Sequence, residues 1–103
     1  MQYMKATLIV QAKEVRDDGS IIEIVVWELA VPLPPCVHPY KYRLFFGQSG
    51  ECFVRYDNER GKGDHRHLYP SGYTGGMESE SAYDFTTLEV LLADFERDVE
   101  NWR

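Results

Sequence analysis

Two strand-like segments joined by a tight-turn sequence constrain the fold more than any other feature of this chain. Residues 5 to 15 alternate apolar and polar side chains, which is the period of a half-buried strand. The sequence Asp-Asp-Gly-Ser follows at residues 17 to 20, and an Asp-Gly pair supplies the positive φ that a tight hairpin needs. Residues 21 to 31 are rich in β-branched side chains, which favour strands. This part of the chain therefore predicts a β-hairpin.

A second hairpin is predicted after a proline-rich connection. Residues 32 to 39 contain four prolines, which prevent ladder pairing and indicate a stiff extended segment. Residues 40 to 46 alternate aromatic with basic side chains, which is typical of a strand. After a turn at residues 47 to 50, the chain returns as a further strand over residues 51 to 56.

The last part of the chain predicts a single amphipathic helix over residues 86 to 102. Leucine, phenylalanine, valine and tryptophan side chains recur there on one helical face. Thr86 followed by Glu89 forms a capping-box pattern, which marks a helix start. The other face carries charged side chains, Asp98 among them, and we expect these to be solvated.

Together these patterns predict one α+β domain over residues 1–103. It contains an antiparallel sheet of four or five strands in two hairpins, and the C-terminal amphipathic helix packs on one face of the sheet. Residues 68 to 80 are rich in glycine, serine and proline and predict an irregular loop. Residues 81 to 85 predict a short strand between this loop and the helix.

Composition narrows the class of protein. The chain is 44% apolar and 27% charged, as soluble domains are, and it has no apolar run of the roughly 20 residues that a membrane span needs. The first five residues lack the pattern of a signal peptide, so we predict a cytoplasmic protein. Cys36 and Cys52 are not in a C-x-x-C arrangement, and we expect reduced thiols.

Charge is unevenly distributed along the chain. The formal net charge is −6, which argues against a protein that coats nucleic acid non-specifically. Residues 41 to 67 carry six basic and four acidic side chains, a local balance of +2, whereas the rest carries five basic and thirteen acidic, a balance of −8. This pattern favours a small anion-binding site, or a partner protein with a basic face.

The most polar segment is Tyr-Asp-Asn-Glu-Arg-Gly-Lys-Gly-Asp-His-Arg-His at residues 56 to 67. We expect it to lie outside the core, either as a solvated loop or as a site that gathers acid, base and cation. Gly61 and Gly63 flank Lys62, so the backbone there is free to take positive φ and to point N–H groups at an anion.

Two histidines of this segment are candidate catalytic residues. His65 and His67 are two residues apart, so their side chains share one face if the segment is extended. Imidazoles titrate near neutral pH and suit the general base and general acid of phosphodiester cleavage by an adjacent 2′-hydroxyl, which needs no metal or other cofactor. Asp64 is a third catalytic candidate, orienting one histidine. The candidate phosphate-binding residues are Arg60, Gly61, Lys62, Gly63 and Arg66.

The same histidines allow other interpretations. His65 and His67 with Asp64 or Asp57 supply ligands suited to a divalent metal such as zinc, although the nearby cations oppose its binding. A nucleotide phosphate loop is excluded because the spacing G-x-x-x-x-G-K-[ST] is not met around Lys62. A surface hairpin loop with internal ion pairs, without any site, is the remaining interpretation.

The polar segment also carries a resemblance to a known family. It is preceded by the Asp-Asp-Gly-Ser turn with Trp27 and by the strand that begins at Tyr40, and it is followed by an ending from Phe85 to Val99. In these features the chain resembles the TumE family of toxin-antitoxin proteins over nearly its whole length. The G-K-G-D-H-x-H core at residues 61 to 67 is the most specific part.

The resemblance implies the toxin of a type II toxin-antitoxin pair, with a helix-turn-helix antitoxin as partner and the site at Lys62, Asp64, His65 and His67. Combined with the residue types, it leads us to expect a metal-independent endoribonuclease that acts on an RNA substrate through paired histidines. A non-enzymatic protein- or nucleic-acid-binding module is the first alternative. A metal-dependent hydrolase or nuclease, with Asp64, His65 and His67 as ligands, is the second.

Overall fold

The computed structural model describes residues 5–69 and 79–102. The described residues form a single antiparallel sheet whose strands lie in the order of the chain. Its elements are β1 (Ala6–Val15), β2 (Ile21–Leu29), β3 (Tyr40–Gln48), β4 (Glu51–Glu59), β5 (Gly63–Leu68), β6 (Ser79–Ala82) and α1 (Leu88–Asn101). The predicted α+β class with a C-terminal helix on an antiparallel sheet is confirmed, but in the described part of the chain the sheet has six strands rather than four or five.

The additional strand, β5, comes from the polar segment, which is not a loop. β4 continues to Glu59 and β5 begins at Gly63, so the segment forms a third hairpin. Gly61 and Gly63 have φ of +84° and +83°, which allows the chain to reverse within three residues. The expectation that this segment lies outside the core is wrong, because hairpin pairing satisfies its backbone while alternate side chains turn inward.

Asn58 illustrates why a polar side chain is buried there. Its side chain is fully buried, its Oδ1 accepts the Tyr42 N–H at 3.1 Å and its Nδ2 donates to the Tyr40 carbonyl at 2.7 Å. The pairing of β3 with β4 ends at Arg43 and Asp57. Beyond that point, the Asn58 side-chain amide forms the hydrogen bonds to the β3 backbone that a paired strand would otherwise form.

The two faces of the sheet differ in character. On the helix face, where α1 packs, the buried hydrophobic residues are Val26, Tyr42, Leu44, Phe46, Phe53, Val54 and Tyr56 from the sheet and Leu91, Phe95 and Val99 from the helix. The other face, here called the histidine face, carries His65 and His67 of β5 and the charged residues paired opposite them on β4. Strand alternation therefore separates the apolar core from the polar cluster.

The helix differs from its predicted bounds at the start and in one buried residue. Thr87, rather than Thr86, is the N-cap, since its hydroxyl accepts the Val90 N–H at 3.1 Å. Asp98, expected on the solvated face, is only 8% exposed. A buried carboxylate needs partners, and Asp98 has two of them on the sheet, described below.

Two further sequence predictions concern the region before the helix. The short strand lies at Ser79–Ala82 rather than at 81 to 85. Of the predicted loop at 68 to 80, Leu68 belongs to β5 and residues 79 and 80 belong to β6, while 70–78 fall outside the described residues. In the described ranges, no helix has the length and apolar character to cross a bilayer.

Candidate functional site

His65 and His67 project from β5 on the histidine face, as their spacing predicts. Their ring centroids are 4.9 Å apart, and the residues are 3% and 4% exposed. The hairpin register places His65 opposite Asp57 and His67 opposite Arg55. Each histidine therefore faces a charged side chain of the neighbouring strand.

The surroundings of His65 contain two hydrogen-bond acceptors. Its Nδ1 lies 3.0 Å from the Gly63 carbonyl oxygen, and its Nε2 lies 2.6 Å from Asp57 Oδ1. The second contact is close but does not meet hydrogen-bond geometry, since Asp57 Oδ1 is buried without a hydrogen-bond partner among the described residues. Neither oxygen is a donor, so neither contact occupies a lone pair of the His65 ring.

His67 has the opposite arrangement at Nε2. Arg55 Nη2 lies 3.1 Å from this nitrogen, and a guanidinium only donates, so His67 Nε2 must present a lone pair. Glu80 Oε2 is 3.5 Å from the same atom, which would favour a proton there. The arginine contact is the shorter and falls within hydrogen-bond geometry, which requires an acceptor at His67 Nε2.

Arg55 connects the two halves of the cluster. Besides its contact with His67, its Nε lies 3.2 Å from Asp57 Oδ2. The guanidinium thus lies next to both the carboxylate and the neutral imidazole and supplies a permanent positive charge. The sequence suggested Asp57 only as an alternative metal ligand. Its pairing with His65 could have been predicted, because both residues are equally distant from Gly61 and residues equidistant from a tight turn face each other.

Asp64 does not join these histidines. Alternation along β5 turns its side chain to the helix face, where it meets the loop between β2 and β3. Its carboxylate lies 2.9 Å from His38 Nε2 and accepts hydrogen bonds from the Tyr42 hydroxyl at 2.5 Å and the Cys36 thiol at 3.4 Å. The prediction that Asp64 orients His65 or His67 is therefore wrong, and its histidine partner is His38 of the β2–β3 loop.

The surroundings of Asp64 also affect the groups that bind it. Burial, followed by the hydrogen bond to the carboxylate, raises the pKa of the Tyr42 phenol well above its ordinary value. Burial likewise raises the pKa of the Cys36 thiol, which favours the protonated form of a free cysteine. This group of residues is a buried polar network that joins the β2–β3 loop to β5.

Arg66 is also directed to the helix face. Its guanidinium donates to both carboxylate oxygens of Asp98, at 2.7 and 2.9 Å, and lies 5.9 Å from the Tyr56 ring centroid. The Tyr56 hydroxyl donates to the same carboxylate. The hydrogen bond to Asp98 raises the pKa of Arg66 above its already high value. The structure therefore places Arg66 away from the histidines, holding α1 to the sheet.

The turn of the third hairpin holds the other predicted phosphate-binding residues. Arg60 and Lys62 are exposed, and Lys62 pairs with Glu80 of β6, which raises the pKa of the lysine and lowers that of the glutamate. The Gly61 N–H donates to the Pro34 carbonyl at 2.8 Å, so it does not point outward at an anion. Gly63 is buried, and a Cβ there would meet Pro35 Cγ at 3.2 Å.

A surface depression gives access to His65. It has a volume of about 280 Å³ and is lined by Lys62, Asp64, His65, Glu80, Ser81 and Ala82. Lys62 and Glu80 form one wall as an ion pair, so a group that entered would meet both a cation and a carboxylate near the histidine.

Two groups of described residues have metal-ligand chemistry. Ligand atoms of Asp57, His65 and His67 lie within 4.8 Å of one another, and so do those of Cys36, His38 and Asp64. The sequence-based set of Asp64 with His65 and His67 is therefore wrong, since these residues lie on different faces. In the first group the Arg55 guanidinium already lies beside Asp57 and His67, and a cation there opposes a metal ion.

The second group fits a metal poorly for a different reason. His38 Nδ1 accepts the Tyr40 N–H at 3.2 Å, so the proton of a neutral His38 is on Nε2, where it faces Asp64. A metal bound at Nε2 would require that proton on Nδ1, against the Tyr40 donor.

Comparison with known proteins identifies a family. Residues 5–103 match the family described as Toxin TumE. No curated protein matches the chain, and no solved structure matches it. The family match covers the sheet, the histidine cluster and α1 together, so the chain belongs to the toxin TumE family.

Proposed function

We propose that this single domain is a cytoplasmic toxin that cleaves RNA without a metal ion and is neutralised by a helix-turn-helix antitoxin. Membership of the TumE family supports the role of toxin with an antitoxin partner. The proposal of RNA cleavage rests on one observation: two adjacent histidines have opposite hydrogen-bonding surroundings. His65 faces two acceptors, and His67 Nε2 faces a donor.

Opposite protonation is what a general acid and a general base require. His67, as the neutral imidazole, accepts the proton of a ribose 2′-hydroxyl at Nε2 in place of the hydrogen bond from Arg55, and the 2′-oxygen forms a bond to phosphorus. The bond from phosphorus to the 5′-oxygen breaks, and His65, as imidazolium, donates its proton to that leaving oxygen. The products are a 2′,3′-cyclic phosphate and a 5′-hydroxyl, and the reaction consumes no co-reactant.

In this proposal, Arg55 stabilises the negative charge of the transition state. Negative charge builds on the non-bridging oxygens of the phosphorane, and a fixed guanidinium beside the base is suited to stabilise it. Lys41 and Arg43 on β3 follow the same alternation toward the histidine face, with Arg43 opposite Asp57. These cations provide a path for the RNA backbone in an otherwise acidic chain.

Replacement of both histidines tests the proposal in cells. We expect His65→Gln with His67→Gln to abolish growth inhibition while the far-UV circular dichroism spectrum is retained. His38→Gln is the matched control, because it removes an imidazole from the helix face, and it should remain toxic. Growth inhibition by a folded double variant would overturn the catalytic proposal.

A metal-dependent hydrolase or nuclease is the second candidate. One observation favours it: Asp57 Oδ1 is buried without a hydrogen-bond partner among the described residues, beside two imidazoles that have ligand atoms within 4.8 Å. A metal there would be held by Asp57, His65 and His67 and would require Arg55 to move. Loss of RNA cleavage in EDTA, with recovery on addition of Zn²⁺ or Mn²⁺, would select this candidate.

A further inference from the structure

Within residues 5–69 and 79–102, the helix face of the sheet is wider than α1, the helix that packs on it. Six strands spaced about 4.8 Å apart span about 24 Å, whereas a helix with its side chains is about 10 Å wide. Among the described residues, α1 packs against β4, toward the β6 side of the sheet. The helix face of β1 and β2 therefore extends beyond α1.

The uncovered part of this face is apolar. Val10, Ile22 and Ile24 point to the helix side and are only half-buried. The alternate positions on the same strands face the histidine side, where they pair Lys13 with Glu23 and Gln11 with Val25. A sheet that faces water on one side places polar residues on that side, so apolar residues at the edge of the helix face indicate a surface meant to be covered.

A groove runs between this surface and α1, and we call it the acidic groove. Its volume is about 240 Å³, and it is lined by Glu14, Arg16, Ile22, Ile24, Phe95, Glu96, Val99 and Glu100. The isoleucines form one wall, and Phe95 and Val99 of the helix form the other. The glutamates lie at the rim and are exposed. Arg16 is the basic residue of the lining, and it lies 3.9 Å from Glu14 and 5.6 Å from the Phe46 ring centroid.

We propose that the acidic groove binds an amphipathic helix of the antitoxin, with an apolar stripe against the isoleucines and Lys or Arg on its flanks. A second helix beside α1 would complete the layer on the helix face, since helices pack at about 8 to 10 Å from each other. Glu14, Glu96 and Glu100 give the rim a negative charge that selects a basic partner.

The charge of the groove also disfavours other occupants. A second copy of this chain brings a net charge of −6 and an identical acidic rim, so like charges would meet across a symmetric contact. RNA is disfavoured for the same reason. A toxin of this family implies an antitoxin, and a basic helix from that partner satisfies both the apolar walls and the acidic rim.

This inference is independent of the catalytic proposal. The acidic groove is on the helix face, and His65 and His67 are on the opposite face. The variant with His65→Gln and His67→Gln should therefore bind the antitoxin with unchanged affinity. A result that contradicts the proposed antitoxin surface can then be distinguished from one that contradicts the proposed RNA cleavage.

Charge reversal at the groove rim tests the inference. The purified cognate antitoxin is titrated calorimetrically into wild-type toxin and into the variant Glu96→Lys with Glu100→Lys. We expect the Kd to rise about tenfold or more, with a weaker salt dependence of binding. α1 has no basic residue in its last turn, and lysine at position 100 is favourable near a helix C-terminus, so the variant should fold.

The matched control is Glu28→Lys with Glu51→Lys. It makes the same change in net charge at exposed positions outside the groove, and its Kd should stay within about twofold of wild type. An unchanged Kd in the groove variant, or an equal loss in the control, would overturn the inference. So would sedimentation that shows a wild-type dimer and a monomeric groove variant, because the groove would then be an interface between copies of this chain.

Discussion

Asp57 Oδ1 and His65 Nε2 lie 2.6 Å apart across the β4–β5 hairpin, and the other ring nitrogen of His65 faces a carbonyl oxygen. The pair is largely buried, with the two side chains 16% and 4% exposed. Both atoms that face the His65 ring are acceptors, whereas His67 Nε2 faces the Arg55 donor. In the proposed reaction, this difference makes His65 the candidate proton donor and His67 the candidate base.

Removal of this carboxylate should lower the rate of RNA cleavage. We expect Asp57→Asn to reduce kcat about tenfold or more, with a smaller change in KM, because it removes charge from the partner of the general acid. Initial rates on a short RNA measure both constants. Glu59→Gln is the matched control, since its carboxylate is 3.8 Å from the same nitrogen but 60% exposed. Equal rates for the two variants would count against a specific role of Asp57.

Loss of Asp98 should destabilise the fold without changing the histidine cluster. Asp98→Ala leaves the Arg66 guanidinium and the Tyr56 hydroxyl without their common partner, and we expect a loss of about 3 kcal/mol in the free energy of unfolding. Urea denaturation measures the change. Glu96→Ala, at an exposed position of the same helix, should change stability by less than about 0.5 kcal/mol. A similar small effect at both positions would contradict the anchoring role.

Stability should fall at alkaline pH. Burial, and then hydrogen bonds to Asp64 and Asp98, raise the pKa of the Tyr42 and Tyr56 phenols, so the folded state favours their neutral forms. Such a group contributes stability fully below the pKa of the unfolded chain, about 10 for tyrosine, and the contribution is lost as pH rises above it. Urea denaturation at about pH 8 and pH 11 should show this loss, and Tyr42→Phe should reduce it. If the stability of Tyr42→Phe had the same pH dependence as that of wild type, Tyr42 would be excluded as a source of the loss at alkaline pH.

Alanine substitutions should distinguish the two glycines of the hairpin turn. Both have positive φ, which is unfavourable for alanine. A Cβ at Gly61 meets open space, so we expect Gly61→Ala to lower the free energy of unfolding by only about 1 kcal/mol. Gly63→Ala should cost more, since its Cβ would lie 3.2 Å from Pro35 Cγ and the proline loop would have to shift. Thermal unfolding measures both. The reverse order would show that Pro35 does not constrain the turn.

Local sequence patterns were sufficient for much of the fold. The Asp-Asp-Gly-Ser turn and its flanking alternation predicted β1 and β2, and periodic apolar residues predicted α1, because both depend on neighbours in the chain. The third hairpin was missed because charged side chains masked a strand in which alternate residues are buried. Its polar core depends on Asn58 bonding to a different strand, which local patterns do not report.

The site was predictable only in part for the same reason. The spacing of His65 and His67 was enough to place them on one face. Asp64 and Arg66 were assigned to the wrong face of β5, because their partners, His38 and Asp98, are 26 and 32 residues away in sequence. Asp64 was predicted as the acidic partner because it is adjacent to His65 in sequence. Strand alternation and the hairpin register instead bring Asp57 to the histidines.

Analysis of RNA ends in the presence of EDTA tests the central claim most directly. Wild-type toxin should cleave RNA in EDTA and leave 2′,3′-cyclic phosphate and 5′-hydroxyl ends, while a substrate with deoxyribose at the cleaved position stays intact. The folded variant with His65→Gln and His67→Gln should be inactive, and His38→Gln should remain active. Intact RNA with wild-type toxin, cleavage that EDTA abolishes, or cleavage by the double variant would contradict a metal-independent reaction catalysed by these two histidines.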